Sequence, residues 1–250
     1  MLIEFELYLI VALSFPLQEI IKSIKKSITN RVYKRCMDLE YFISIFSKIE
    51  KLPLPGKYAH RSMTSPRRAV QLATENITTK TPKKAAVLAL CYPDEFNRIQ
   101  LLLIKRKSIK GDVHSAQIGF PGGSVASDDQ SLLHTALREA EEEVGILRDD
   151  IDQIMKLSEL YIPPSNFLVQ PFFGIAKQPP NFKIQEGEVD YILEVPLMYF
   201  LDDINISTHT ISNSYLTNID FPAFIYNQEV IWGATAMMIG EIRTLIKQII

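Results

Sequence analysis

Four carboxylate side chains crowd into five consecutive positions near the middle of the chain: Glu139, Glu141, Glu142 and Glu143. In a helix, at about 100° per residue, Glu142 lies about 60° to one side of Glu139 and Glu143 about 40° to the other, so these three share one face. Like charges on one stripe repel one another, and an acidic block late in a helix opposes its dipole. A divalent cation would offset both costs, and Mg²⁺ or Mn²⁺ suits such hard oxygen ligands. The alternative is an ordinary solvated acidic helix.

The residues around this acidic face also fit a binding site. Arg138 precedes Glu142 by one helical turn and is placed to brace its carboxylate by a charge-assisted pair. Upstream, residues 117–120 predict a short strand that leads into Gly122 and Gly123. Without a Cβ, these glycines let the backbone approach a ligand or a metal ion. A strand, a glycine loop and a carboxylate helix together predict a functional site.

The elements that must position this site follow from apolar patterning. The acidic helix is predicted over residues 131–144, with Asp128, Asp129 or Ser131 capping its start and Gly145 ending it. Further helices are predicted from Met37 to before Pro53, around residues 66–73 and over residues 235–249. Short apolar runs between turn residues predict strands. They cover residues 85–92, 100–105, 117–120, 157–161, 169–175, 191–195, 221–226 and 230–232.

Composition narrows the class of protein. The 250 residues, 47% of them hydrophobic and 22% charged, are typical of one main globular domain with appendages. A net charge of −2 argues against a nucleic acid as the main partner. The two cysteines, Cys36 and Cys91, lack C-x-x-C spacing and indicate buried thiols in a reducing compartment, for which we expect the cytoplasm.

The chain divides into three predicted parts. Residues 85–250 form the main domain, residues 37–84 form a helical and irregular lead-in, and residues 1–36 form an amino-terminal extension. The extension is apolar at first but carries Glu4 and Glu6, which argues against a secretory signal. Its basic stretch 17–35 predicts either a weak membrane-surface helix or a solvated helix packed on the domain. A third interpretation is that Met37 is the natural start.

Residues 138–146 resemble the second half of the motif of the Nudix hydrolases, which reads Arg-Glu-aliphatic-x-Glu-Glu-x-Gly-aliphatic, with Ala140 as the aliphatic member. In the first half, Asp129 stands six residues after Gly123, where the motif has Glu, and eight residues rather than seven separate it from Arg138. This spacing is similar to that of one subgroup, the coenzyme A pyrophosphatases. That subgroup also has an upstream stretch resembling residues 102–106 and 114–123. The resemblance covers roughly residues 50–248.

The resemblance implies the α/β Nudix fold: a mixed β-sheet in an α/β/α sandwich, with an amino-terminal helical extension. It also implies an enzyme that uses Mg²⁺ or Mn²⁺ to hydrolyse the pyrophosphate bond of coenzyme A or acyl-coenzyme A, a small-molecule substrate, to 3′,5′-ADP and (acyl-)4′-phosphopantetheine. Glu139 and Glu143 are the implied metal ligands, Glu142 is a ligand or acts through water, and Arg138 orients a glutamate.

Other residues are expected to contact the water or the substrate. Glu188 is the candidate base, with Glu186 and Asp190 as competitors; we expect Arg106 and His114 to contact substrate phosphate beside Gly122 and Gly123, and Trp232 to belong to the core. An alternative substrate is another nucleoside diphosphate compound such as ADP-ribose, and a further alternative is a nucleotide sensor without turnover. A homodimer is left open.

Overall fold

A computed structural model describes residues 37–74, 81–108, 116–211 and 218–250. The predicted extension 1–36 and His114 lie outside these ranges. The elements below belong to the compact unit Asp38–Ile250. Its helices are α1 (Leu39–Ile49), α2 (Lys57–Arg61), α3 (Pro66–Thr74), α4 (Leu132–Val144), α5 (Leu197–Leu201) and α6 (Gly233–Lys247). Its strands are β1 (Lys83–Pro93), β2 (Ile99–Arg106), β3 (Ile118–Gly119), β4 (Gly122–Ser124), β5 (Gln153–Lys156), β6 (Leu160–Ile162), β7 (Phe167–Ile175), β8 (Val189–Pro196), β9 (Ile206–Ile211), β10 (Ile219–Tyr226) and β11 (Glu229–Ile231).

Strand β1 is the centre of an eight-stranded mixed sheet. It pairs in parallel with β7, from Lys83 opposite Phe167 to Cys91 opposite Ile175. Its other edge pairs antiparallel with β4 at residues 85–87 and with β2 at residues 91–93. Strands β3 and β8 extend the sheet from β2, and β5 and β6 extend it from β7. A separate three-stranded sheet has the order β11-β10-β9.

Helices cover both faces of the large sheet. Successive strand residues point to opposite faces, so Phe172 and Phe173 of β7 belong to different layers. Phe172 lies in the core cluster that includes α4. Phe173 contacts Phe42 and Phe46 of α1, with ring centroids 6.2 and 5.2 Å apart. Each such buried ring contributes about 1.5–3 kcal/mol of hydrophobic stabilisation. The predicted α/β/α arrangement around a mixed sheet is confirmed.

Local signals fix both ends of α4. The Ser131 hydroxyl accepts a hydrogen bond from the His134 backbone N–H at 3.1 Å, which caps the start of the helix. Gly145 adopts a φ of 75°, and its N–H donates to the Glu141 carbonyl at 2.9 Å. Glycine reaches this left-handed conformation without strain, so the helix ends here. The predicted bounds of the acidic helix are confirmed to within one residue.

The predicted strand over residues 157–161 is confirmed only for its last two residues. The chain instead forms β5 before it and β6 from Leu160, both antiparallel to β7. Between them, the backbone N–H and the hydroxyl of Ser158 donate to Glu241 of α6 rather than to a strand. A hydrogen bond to a distant helix therefore interrupts the apolar run.

Short elements account for the other differences. The predicted glycine loop is strand β4, and the strand before it covers only Ile118–Gly119. Helices α2 and α5 and strand β9 were not predicted; α2 lies in the segment that we expected to be irregular. Within the part of the chain that the structure describes, no helix is long and apolar enough to span a membrane.

Candidate active site

A partly buried ion pair anchors the acidic helix to the loop before it. Arg138 donates from Nε and Nη2 to the two carboxylate oxygens of Asp129, at 3.0 and 2.9 Å. The Thr135 hydroxyl and the Ala126 N–H donate to the same carboxylate at 2.9 and 2.8 Å. The Arg138 hydrogen bonds, helped by these donors, hold the pKa of Asp129 well below its ordinary value. The guanidinium is thus held by a bidentate contact.

The remaining Arg138 contacts reach two of the predicted site residues. Its Nη1 donates to Glu142 Oε2 at 2.9 Å, which is the pairing that the sequence predicts, and its Nη2 lies 3.0 Å from Glu139 Oε1. Its Nη2 also donates to the Ser124 carbonyl at 3.2 Å, next to the glycines of β4. Arg138 therefore orients two glutamates relative to β4. The Glu142 side chain is 57% exposed and the Glu139 side chain 15%, so Glu139 is the inner of the two.

Glu143 is the most deeply buried residue of the acidic block. It is 1% exposed, and its Oε2 accepts a hydrogen bond from the Gly122 N–H at 2.8 Å. Arg106 Nη1 lies 3.6 Å from its Oε1, beyond good hydrogen-bonding distance. Burial raises the pKa of Glu143 to about 7; the Gly122 N–H and the charge of Arg106 oppose this shift, and the negative charges of Glu139 and Glu188 add to it. The fold therefore compensates this carboxylate only in part.

Burial and neighbouring carboxylates also affect the pKa of Glu139. Burial raises its pKa above the ordinary value; Arg138 opposes this shift, and the charges of Glu142 and Glu188 add to it. Glu188 is exposed and lies just before β8, where its carbonyl accepts from the Lys107 N–H at 2.8 Å. Its charge acts on both Glu139 and Glu143, which favours it among the acidic residues of its loop.

The charges of the two competitors, Glu186 and Asp190, have no comparable effect on the pKa values of Glu139 and Glu143. Asp190 Oδ1 lies 3.8 Å from Lys107 Nζ, and both side chains are about half exposed. Glu186 is exposed, and neither residue is among the principal causes of the raised pKa of Glu139 or Glu143. Glu188 therefore remains the candidate base.

Both glycines of β4 are required by close contacts. A Cβ at Gly123 would lie 2.5 Å from the carboxyl group of Glu139, and one at Gly122 would lie 2.4 Å from the Ala86 carbonyl oxygen. At Gly122 the contact is with backbone, so only glycine fits there, whereas a side chain at Gly123 would displace the carboxyl group of Glu139. Strand β4 thereby presents bare backbone to the glutamates of α4.

The structure separates the three predicted metal ligands. Across residues 37–74, 81–108, 116–211 and 218–250, no group of three or more His, Cys, Asp and Glu side chains converges to hold a metal ion. The reason is that Glu142 turns outward to Arg138, whereas Glu143 points inward to Gly122. Glu139 and Glu143 still fit a hard cation, because both are partly or fully buried carboxylates whose charges repel.

A cavity of about 700 Å³ adjoins this cluster. Ala85 and Val87 of β1 line it, whereas the alternate residues Ala86 and Leu88 face α4, so the cavity lies on the opposite side of the sheet. None of the glutamates lines it. It meets their cluster through Arg106, Gly122, Gly123 and Ser124.

Three of the four predicted substrate-contact residues line the cavity. Arg106, Gly122 and Gly123 line the cavity; His114 lies outside the described residues. The expectation that Trp232 belongs to the core is wrong: it is partly exposed, lines the cavity and contacts the ring of Phe221 at 5.2 Å. Its position just before α6 places it at the end of a helix rather than within a layer.

Two features of the site were not assigned from the sequence. Asp129 was considered only as a helix cap and a motif position; its spacing of nine residues from Arg138 gives no local signal of a contact. Arg67 and Arg68 line the cavity, although their segment was predicted to be a lead-in. The helix itself was predicted around residues 66–73 and is confirmed as α3, but its pattern does not indicate that its arginines reach the cavity.

Comparisons with known proteins agree with this geometry. Residues 82–198 match the NUDIX domain. The uncharacterized Nudix hydrolase NudL of Yersinia pestis (strain Pestoides F) is 33% identical over 166 residues, covering 65% of this chain and 79% of that protein. The chain therefore belongs to the Nudix hydrolase family, and the predicted fold and enzyme class, hydrolysis of a phosphoric anhydride, are confirmed.

Two further proteins are similar to this chain. The peroxisomal coenzyme A diphosphatase ndx-8 of Caenorhabditis elegans is 28% identical over 175 residues, covering 69% of this chain and 72% of that protein. This similarity confirms the resemblance to the coenzyme A pyrophosphatase-like subgroup. The crystal structure of RenU, a Nudix hydrolase from M. smegmatis, is 14% identical, with a TM-score of 0.45, and covers 68% of this chain and 88% of that one.

Proposed function

We propose that this protein hydrolyses the pyrophosphate bond of coenzyme A or an acyl-coenzyme A to 3′,5′-ADP and (acyl-)4′-phosphopantetheine. The observation that carries the proposal is the cavity that meets the glutamates of α4 through Arg106 and the two glycines. Its volume is in the usual range for small-molecule sites, about 300–1,000 Å³. The similarity to ndx-8, named a coenzyme A diphosphatase, supports this choice of substrate.

The cavity lining suits a nucleotide with a long apolar arm. Phe221 and Trp232 supply aromatic surface, and Met237 and Met238 of α6 supply flexible apolar surface. Arg106 lines the same cavity at the junction with Glu143. The Arg106 guanidinium at this junction would bind the diphosphate, while the apolar lining contacts the base or the pantetheine arm.

The chain's own residues supply the remaining functions of the reaction. When bound, Mg²⁺ or Mn²⁺ neutralises the diphosphate oxygens and lowers the pKa of a bound water. Glu139 and Glu143 would hold the cation, with Glu142 contributing directly or through water, and Arg138 keeps Glu139 and Glu142 in place.

Water then displaces one phosphate from the other. The water oxygen bonds to one phosphorus, and the bond from that phosphorus to the bridging oxygen breaks. The bridging oxygen leaves with the electron pair on the departing phosphate, and the proton of the water passes to Glu188. Arg106 donates hydrogen bonds to diphosphate oxygens, as its position between Glu143 and the cavity allows.

Product analysis tests the proposal. The full chain is incubated with coenzyme A and Mg²⁺ or Mn²⁺, and products are separated by chromatography and identified by mass. We expect 3′,5′-ADP and 4′-phosphopantetheine from the wild type and from Glu141→Gln, whose side chain is exposed, but not from the Glu142→Gln/Glu143→Gln double variant. Consumption of ADP-ribose or another diphosphate instead would identify that compound, rather than coenzyme A, as the substrate. Nucleotide binding without hydrolysis would indicate a sensor.

Compartment, assembly and the extension remain part of this proposal. We propose a cytoplasmic enzyme, supported by the buried free thiol of Cys91; the relative ndx-8 is named peroxisomal.

Three further experiments address assembly and the extension. A homodimer would appear in light scattering of the purified chain. Mass spectrometry of the natural protein tests whether it starts at Met37: a peptide that spans Cys36 and Met37 would reject that start. Vesicle flotation of the full chain tests membrane contact by residues 1–36.

A further inference from the structure

The beginning of α3 forms one wall of the cavity. Thr64, Ser65, Arg67, Arg68 and Gln71 all line it, and all precede residues 82–198, which match the NUDIX domain. The cavity is cationic: Arg67, Arg68 and Arg106 line it, and no acidic side chain does so among the described residues. This composition predicts an anionic ligand.

Several hydroxyl groups that line the cavity have few partners within the protein. Thr64 is 5% exposed as a residue, and its hydroxyl makes no hydrogen bond to another described residue. Ser65 is 4% exposed, and its oxygen accepts one long contact, 3.4 Å, from the Arg68 N–H. Ser165 Oγ, which lines the same cavity, is also buried without a hydrogen-bond partner. A buried polar group without a partner is costly, so the Ser165 hydroxyl beside the cavity points to a ligand, and the hydroxyls of Thr64 and Ser65 are open to the same ligand.

The position of the Arg68 guanidinium separates this wall from the glutamates. Arg68 Nη2 donates to the Tyr161 carbonyl of β6 at 2.7 Å. Strands β4, β1, β7 and β6 lie side by side in that order. Three strand spacings correspond to about 14 Å. The two phosphates of a pyrophosphate share a bridging oxygen and do not cover this span, so an anion at Arg68 belongs to another part of the substrate.

We infer that Thr64, Arg67 and Arg68 bind a phosphomonoester of the substrate that is separate from the hydrolysed pyrophosphate. On coenzyme A this group is the 3′-phosphate, so the inference rests on the proposed function and identifies the residues that select for it. The planar guanidinium of arginine binds a phosphate through two parallel hydrogen bonds, and the Thr64 hydroxyl donates a third. Substrates without the 3′-phosphate, such as 3′-dephospho-coenzyme A, offer these side chains no phosphate to bind.

Kinetics on the two substrates test the inference. For Arg67→Gln/Arg68→Gln we expect kcat/KM on coenzyme A to fall about 10- to 100-fold, with less than about a twofold change on 3′-dephospho-coenzyme A. Thr64→Val, which keeps the shape and removes the hydroxyl, should show the same selectivity with a smaller loss. Arg61→Gln, an exposed charge that does not line the cavity, is the control and should change neither value. Equal losses on both substrates, or no loss on coenzyme A, would overturn the inference.

Binding separates this inference from the proposed function. Calorimetry on the full chain compares 3′,5′-ADP with 5′-AMP, which lacks the 3′-phosphate, and needs no turnover. Tighter binding of 3′,5′-ADP that disappears in Arg67→Gln/Arg68→Gln supports the subsite even if the wild type fails to cleave coenzyme A. Equal affinity of the wild type for the two nucleotides, or no measurable binding of 3′,5′-ADP, refutes the subsite even if coenzyme A is cleaved.

Discussion

Two buried glutamates on the two long helices of the fold have opposite electrostatic environments. Glu143 of α4 and Glu241 of α6 are each at most 1% exposed. Glu241 accepts from the Gly56 N–H, from the backbone and hydroxyl of Ser158, and lies 3.1 Å from His60 Nε2. Burial acts to raise its pKa, but these hydrogen bonds outweigh burial and lower it. Glu143 has one backbone donor, and burial raises its pKa.

The difference distinguishes a structural carboxylate from a functional one. The fold surrounds Glu241 with donors from two segments, so its charge ties α2 and the β5–β6 connection to α6. The fold leaves Glu143 short of donors and places other carboxylates near it, which costs stability unless a cation binds. Equal burial therefore does not imply an equal role. The number of hydrogen-bond donors around each carboxylate distinguishes the structural glutamate from the functional one.

The largest effect is expected for Glu143→Gln. Removing the charge should lower the rate of coenzyme A hydrolysis by about 1,000-fold, because the position contributes to binding the metal and activating the water. The melting temperature should stay the same or rise, because an uncompensated buried charge is lost. Rates and thermal melts are compared with those of Glu141→Gln on the same helix. A folded Glu143→Gln enzyme with near wild-type activity would show that Glu143 is not a functional carboxylate.

The next effect, on stability, is expected for Glu241→Gln. Its amide leaves donors from Gly56, Ser158 and His60 incompletely paired, so the free energy of unfolding should fall by about 3 kcal/mol. Activity per folded molecule should change by less than about twofold. Urea unfolding measures the first quantity and active-site-normalised rates the second, with exposed Glu159→Gln as the control. Unchanged stability would show that the donor network is not structural.

A smaller stability loss is expected for Asp129→Asn, at about 2 kcal/mol near pH 7, because Arg138 loses its charged partner. The folded-state pKa of Asp129 lies below its unfolded value. Its stabilisation is therefore complete above the unfolded pKa, about 3.9, and is lost as pH falls through the folded pKa. The gap between the wild type and Asp129→Asn should narrow below about pH 4, measured by urea unfolding across pH. The exposed Asp128→Asn should show no such gap.

The smallest effect is expected for Arg106→Gln. Arg106 is the nearest cation to Glu143 but lies at 3.6 Å, so its removal should lower kcat/KM about tenfold, chiefly through weaker diphosphate binding. Lys107→Gln, on the exposed neighbour, is the matched control. A loss as large as that of Glu143→Gln would mean that the fold does compensate Glu143 through Arg106.

The sequence predicts what depends on neighbours along the chain. Ser131 and Gly145 mark the ends of α4, and the spacing of Glu139 and Glu143 places both on one helical face, as the structure shows. It also predicts the pairing of Arg138 with Glu142, which the structure shows. It does not predict that this pairing turns Glu142 away from Glu143, because the spacing alone puts both on one face. That outcome depends on how α4 packs against β4, which brings Gly122 to Glu143.

Features built from distant segments were missed for the same reason. The interruption of the predicted strand 157–161 depends on Glu241, and the cavity wall depends on α3 packing beside β6. Neither contact has a periodic signal, because the partners are separated by more than eighty residues in each case. Strand order was likewise inferred only by resemblance, since spacing does not reveal which strands pair.

Thermal unfolding with and without Mg²⁺ tests the central claim most directly, because it compares the two glutamates without relying on a substrate. Wild type, Glu143→Gln and Glu241→Gln are melted at increasing Mg²⁺ concentrations. A ligand at 100 times its Kd stabilises a protein by about 2.7 kcal/mol. We predict that Mg²⁺ raises the melting temperature of the wild type and of Glu241→Gln by similar increments and leaves that of Glu143→Gln unchanged. An equal increment in Glu143→Gln, or one lost only in Glu241→Gln, would contradict the assignment of Glu143 to the metal site.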